Sequence, residues 1–192
     1  MQRIYNALTT LTSVLILILI LITPFFYSCN REKEEWIIGV KIYDHRGSFE
    51  ELFDQWGELG INTALTSESL QSNKEFRTLA RENEITTFVI FPVFYNPEIL
   101  ADSPDMHAIT QHGEPAVEEW VEFVCPSRDT YRKQAVDHAV EIIQDYNPDG
   151  ISIDFIRHFV FWEKVYPDRD PASLPETCFD SSCMVQFQAK TG

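Results

Sequence analysis

From Trp36 onward the apolar residues of the chain switch between two spacings, one alternating and one recurring about every 3.6 positions. WIIGVKIYD, residues 36–44, is rich in β-branched and aromatic side chains and predicts a strand. In SFEELFDQWGELG, 48–60, Phe49, Leu52, Phe53 and Trp56 fall at helical spacing, with Ser48 placed to cap the helix and Gly60 to end it. INTALTS, 61–67, predicts a second, short strand, and SNKEFRTLARENE, 72–84, a helix with Phe76, Leu79 and Ala80 on one face. ITTFVIFPVFY, 85–95, predicts a third strand that Pro92 ends or bends. SRDTYRKQAVDHAVEIIQDYNPDG, 127–150, predicts a long helix with Tyr131, Ala135, Ala139, Ile142, Ile143 and Tyr146 on one stripe, and GISIDFI, 150–156, the strand after it.

Four strands separated by helices, with no hairpin signal between them, favour parallel strands joined by right-handed crossovers, an α/β fold. An open doubly wound sheet and a (β/α)8 TIM barrel both fit that succession. A nucleotide-binding sheet would carry a glycine-rich turn after its first strand, and YDHRGSF, 43–49, has one glycine where the fingerprint needs three. A barrel needs roughly 250 residues. Residues 36–192 are therefore expected to form about its first four β/α units, the N-terminal part of a barrel, as in a fragment. The one long connection, Asn96–Ser127, is polar and proline-bearing and contains His107, His112 and Trp120. It follows a strand and precedes a helix, on the side where such barrels build their sites.

Alternation along GISIDFI puts Ile151, Ile153 and Phe155 on one face and Ser152, Asp154 and Ile156 on the other. Facing inward at the C-terminal end of its strand, Asp154 needs a role or a partner, because burying a lone carboxylate is costly. In GVKIYDH the same alternation turns Lys41 and Tyr43 inward, and a lysine within reach would keep Asp154 ionised. A pair of Asp154 with Lys41 or Arg157 that only organises the barrel top is the competing expectation. Arg157 and His158 follow the strand, placed to bond a sugar hydroxyl or orient Asp154. Tyr95, Trp120, Phe161 and Trp162 offer flat faces for sugar rings, or ordinary core packing. His107 and His112 match no hydrolase metal motif, and no G-x-S-x-G elbow occurs.

The N-terminus reads as an export signal: a basic start at Met1–Arg3, an apolar run Leu11–Phe26 broken by Pro24, then FYSC. FYSC resembles a bacterial lipobox, without its usual Leu or Val, which implies a signal peptide over 1–28 and lipidation of Cys29; an uncleaved anchor is the alternative. Residues 29–35 form a polar tether whose Lys33-Glu34-Glu35 weakly resembles surface-export signals of some lipoproteins. The protein is then expected on the bacterial envelope, held to the outer membrane by its lipid and facing periplasm or cell surface. A net charge of -15 repels phosphate backbones, so no nucleic-acid partner is expected, while a neutral glycan is compatible. Besides Cys29 the chain has Cys125, Cys178 and Cys183. Cys178 and Cys183, spaced CxxxxC, could pair or supply two metal ligands with Cys125 as a third, but a disulfide between two of them, burial, or loop stapling is expected rather than a metal site, since no histidine lies between or just after the pair. No metal and no cofactor is expected.

The stretch EWVEFVCPSRDTYRKQAVDHAVEIIQDYNPDGISIDFIRH, 119–158, resembles a segment of glycoside hydrolases with a (β/α)8 barrel, in which a phrase of the form W-x-C-P-S precedes a helix and D-G-I-x-x-D-[FY]-I-R forms the strand after it. CFDSSCMVQFQAKTG, 178–192, resembles their cysteine-bearing stretch, here with one residue more between the cysteines. The likeness runs over Trp36–Gly192, and its specific part over Trp120–Arg157. It implies a glycan substrate and makes Asp154 the nucleophile or a sugar-binding acid, with the acid/base on a later strand. Glycoside hydrolysis ordinarily uses two carboxylates. Glu163, Asp168 and Asp170 lie beyond the strand, and each reads equally well as solvated surface. A glycan-binding lipoprotein without turnover is the alternative function. A third expectation is a nonfunctional remnant, marked by an exposed apolar edge beside the fourth strand.

Overall fold

The two spacings of apolar residues resolve into a β/α succession in the computed structural model, which describes residues 36–159 and 170–192. In chain order the elements are β1 (Gly39–Ile42), α1 (Phe49–Leu59), β2 (Thr63–Thr66), α2 (Glu68–Ser72), α3 (Lys74–Glu82), β3 (Thr86–Pro92), α4 (Pro97–Asp102), β4 (Val117–Glu118), β5 (Val121–Glu122), α5 (Asp129–Tyr146), β6 (Gly150–Asp154) and α6 (Ser181–Thr191). Local chemistry sets the ends. The Ser48 hydroxyl accepts from the Glu51 amide at 3.3 Å, and Gly60 closes α1 in the left-handed region at φ 70°. The Asn73 side chain accepts from the amides of Glu75 and Phe76 to start α3.

β1, β2, β3 and β6 pair side by side in that order, all parallel, so each crossover lays its helices on the same face. The register aligns Val40 with Ala64 and Thr87, and Thr66 with Val89 and Ile151. This face is the core. Ala64 and Val89 are fully buried, against Phe53, Trp56 and Phe76 from α1 and α3 and Ile142 from α5. The opposite face aligns Lys41, Leu65, Phe88 and Gly150, then Ile90 with Ser152 and Pro92 with Asp154. Ile90 and Thr63 are buried there, and Lys41, Leu65, Phe88, Ser152 and Asp154 are half-buried or exposed. The fold is thus mixed α/β on a four-stranded parallel sheet, and Ile37–Gly192 forms one unit by its contacts.

Four features depart from the expected pattern. The Asn96–Ser127 connection holds α4 and a small antiparallel hairpin, β4 with β5, turned through Glu119 at φ 55°, a position that Asn or Gly usually takes. Ile143 is 48 % exposed: it shares a side of α5 with Val136 and Val140, a turn edge away from Ile142. Phe155 leaves the strand alternation because its own φ is 52°, which swings its ring off the helix face. α6 was not marked by an apolar stripe, and it starts instead from a cap, Asp180, whose carboxylate accepts from the Ser182 amide at 2.8 Å.

At β6 the expected apolar edge is present, with Ile153 60 % and Ile156 62 % exposed. The export segment, Cys29, the tether, Phe161, Trp162, Glu163 and Asp168 lie outside the described residues, among which no helix is long and apolar enough to cross a membrane.

Gly150 faces Phe88 across the β3–β6 register, and a Cβ there would stand 2.7 Å from two Phe88 ring carbons. Gly150→Ala is therefore expected to lower stability by about 1–3 kcal/mol in urea unfolding. Adding Phe88→Leu should return part of it. A Gly150→Ala protein as stable as the parent would contradict this packing.

Candidate functional site

Each of the four parallel strands ends by delivering a side chain to the same place. Tyr43 follows β1, Ser67 follows β2, Tyr95 follows β3 and Asp154 closes β6; all four line one cavity of about 710 Å³. This is the carboxyl end of the sheet, where side chains are fixed by strands while the connecting loops shape the opening. The Ser67 hydroxyl donates to the Tyr43 carbonyl at 2.6 Å, which ties the ends of β1 and β2 together.

Asp154 is held from two sides. Its Oδ2 lies 3.3 Å from Lys41 Nζ, and its Oδ1 accepts from the Phe155 amide at 2.8 Å. The register that aligns Pro92 with Asp154 turns both Lys41 and Asp154 to the open face, so the ion pair bridges the two outer strands over the half-covered sheet. Lys41 is raised above 10.5, first by the Tyr43 side chain and then, after a smaller opposing contribution from burial, by Asp154. Its ammonium also sits 5.1 Å from the centre of the Tyr43 ring. Lys41 is 49 % and Asp154 32 % exposed, so both remain reachable from solvent.

An aromatic wall adjoins the acid. Phe155 stacks on Tyr95 with ring centres 4.8 Å apart, Trp120 meets Tyr95 edge-on at 5.4 Å, and the Arg157 guanidinium lies 5.2 Å over Phe155. The left-handed backbone at Phe155 brings this about, and such a conformation in a bulky residue carries roughly 1–3 kcal/mol of strain held by its surroundings. Burial first, then the charge of Glu122, raises the Tyr95 hydroxyl above its ordinary value, so it stays a neutral donor. Trp120, at the turn between β4 and β5, is 46 % exposed.

The structure therefore unites Lys41, Tyr43 and Asp154, and beside them Tyr95, Trp120 and Arg157. His158 goes elsewhere: it lines a second cavity, of about 580 Å³, with Cys178 and Cys183. His107 is buried, its ring nitrogens bonded to the Pro104 carbonyl at 2.8 Å and Glu122 at 3.0 Å, a clasp within the connection. Sequence reasoning missed Phe155 as a site residue, and Glu68 and Glu98 as acids in the wall of the first cavity. Glu68 accepts from or pairs with His138 at 2.9 Å. The helix α2 that positions Glu68 has no apolar periodicity to announce it, only a Ser67 cap.

No protein-family model matches the chain, and no curated protein does. Solved structures do match. The alpha-L-fucosidase isoenzyme 2 from Paenibacillus thiaminolyticus superposes over 81% of this chain and 26% of its own, with TM-score 0.57 and 12% identity. A polyextremophilic beta-galactosidase from the haloarchaeon Halorubrum lacusprofundi matches over 62% of this chain and 21% of its own, with TM-score 0.49 and 16% identity. The second score is too low to carry an argument. The chain spans about a quarter of the fucosidase, 26%, and the likeness at 12% identity shows the fold: a β/α arrangement of the type that glycosidase has.

An exposed ion pair contributes little, so Lys41→Met should change stability by less than about 1 kcal/mol in urea unfolding at neutral pH. With Lys41 raised above 10.5, that contribution is complete below 10.5 and is lost as pH rises through the folded value. A loss of several kcal/mol would make the pair an organising clamp instead.

Proposed function

We propose that the four strands are the first four of a (β/α)8 barrel and that the chain belongs to a glycoside hydrolase acting on a poly- or oligosaccharide. One observation carries this reading: all four strands aim side chains into one cavity at their C-terminal ends, with a carboxylate, Asp154, on the last. The resemblance of 119–158 to barrel glycosidases falls on that same carboxylate, and the fucosidase likeness supplies the matching fold.

In this reading Asp154 is the nucleophile or the acid that grips the sugar. Lys41 pairs with it in the free protein and gives way to substrate hydroxyls. Tyr95, Phe155 and Trp120 receive the apolar face of a sugar ring, since ring C–H groups sit well on aromatic faces. Arg157, stacked on Phe155, reaches for a hydroxyl. Hydrolysis needs a second carboxylate, about 5–5.5 Å away for retention or 6.5–9.5 Å for inversion. Glu68 and Glu98 share the cavity wall with Asp154, while the resemblance puts the acid/base on a later strand. The export segment and Cys29 would place this chemistry on the cell envelope, on a lipid tether.

A glycan-binding role without turnover is the second reading, favoured by the fact that both Asp154 oxygens already have partners, Lys41 and the Phe155 amide. The two readings part in one assay. Incubated with a panel of oligo- and polysaccharides, the protein should release reducing ends from at least one, and Asp154→Asn should cut that release by about 10²–10⁴-fold without loss of folding. Retention of a glycan with no release would establish the binder, and neither would overturn both. Trp120→Ala should weaken glycan affinity about 3–10-fold, the worth of one aromatic contact, measured by titration calorimetry. Unchanged affinity would remove Trp120 from the platform.

A further inference from the structure

Cys125, Cys178 and Cys183 come from three separate places, the segment after β5, the loop before α6 and the first turn of α6, and their sulfurs all lie within 4.8 Å of one another. We propose that these three thiolates bind one zinc ion, a structural site that fastens α6 to the Asn96–Ser127 connection.

The sulfurs stand nearer the spacing of a metal shell than that of a disulfide. Cys125 Sγ lies 3.3 Å from Cys183 Sγ and 3.5 Å from Cys178 Sγ. Three sulfurs each about 2.3 Å from a tetrahedral zinc stand about 3.8 Å apart, whereas a disulfide brings two to about 2.05 Å and leaves the third without a role. All three are thiols in the structure.

Backbone groups approach the cluster as well. Backbone amides are aimed at two of the three: Ser127 at Cys125, and both Ile109 and Asp180 at Cys178. Two of these donors lie two residues beyond the cysteine they serve. Cys183 sits in the first turn of an eleven-residue helix, whose N-terminal end favours negative charge. Outer donors of this kind fix thiolate ligands and tune the metal they hold. The second cavity opens on Cys178 and Cys183 and is walled by His158, Glu176 and Met184, which gives an ion an approach and leaves room for a fourth ligand. A soft, all-sulfur triad selects zinc among the common divalent ions.

The same segment is joined to the connection by the Phe179 amide on the Ile109 carbonyl at 2.8 Å, and by Arg128 on Asp180 at 2.8 Å. A metal would add a bond of far greater strength across that seam. The CxxxxC pair has no histidine beside it, and the third sulfur comes from far along the chain. Here Cys125 and Cys178 are brought together by the fold across a separation of 53 positions.

The test uses the full chain, purified under reducing conditions and stripped with a chelator, then titrated with Co²⁺ and back-titrated with Zn²⁺. The proposal expects one equivalent of cobalt, thiolate-to-cobalt charge-transfer absorption with tetrahedral visible bands, and displacement by zinc. Cys125→Ser, Cys178→Ser and Cys183→Ser should each weaken cobalt binding more than the roughly 10–100-fold that loss of an outer-shell partner causes. Cys183→His should keep binding with shifted bands, which separates loss of a ligand from failure to fold. Absence of charge-transfer absorption in the reduced, folded protein would overturn the site. So would protein isolated from its host with no zinc and a mass two hydrogens lower that maps to a Cys125–Cys183 bond.

Discussion

A parallel sheet has two faces to cover, because its strands carry apolar side chains to both. Among the described residues, helices cover one. Ala64, Thr66 and Val89 disappear beneath α1, α3 and α5, while Lys41, Leu65, Phe88 and Asp154 on the other face keep contact with solvent. The candidate carbohydrate site follows from that asymmetry. The open face is where a charged pair survives without being buried, and the strand ends above it are where the cavity forms.

Polar side chains on that face are therefore placed by register more than by local preference. Lys41 and Asp154 are 113 positions apart, yet the parallel pairing of four strands turns both the same way. Gly150, opposite Phe88, keeps β6 close enough for the register to hold. The Phe155 backbone then breaks the alternation one residue after Asp154 and sends a ring toward Tyr95 and Trp120. Acid and aromatic wall become neighbours through a single left-handed residue.

Much of this was legible in the sequence, and the reasons for the rest are physical. Period-two and period-3.6 patterns marked β1, α1, β2, α3, β3, α5 and β6, because each buries a face against the same core. The shared face of Lys41 and Asp154 followed from alternation alone. Elements that bury little left no such trace: α2 and α4 start from the caps Ser67 and Asn96, and the β4–β5 hairpin turns on Glu119, a residue that does not announce a turn. Phe155 was assigned to the helix face because alternation assumes an unbroken strand. The three cysteines were visible as a candidate set, but only the fold shows that α6 carries Cys183 back to Cys125.

The account stands on one claim, that the cavity at the strand ends is a carbohydrate site organised by Asp154. A crystal structure of the protein with a bound oligosaccharide tests it most directly. The account predicts a sugar ring against Tyr95, Phe155 and Trp120 with a hydroxyl or anomeric carbon at Asp154, and Lys41 drawn off its carboxylate. A sugar bound elsewhere, with the Lys41–Asp154 pair undisturbed, would contradict it.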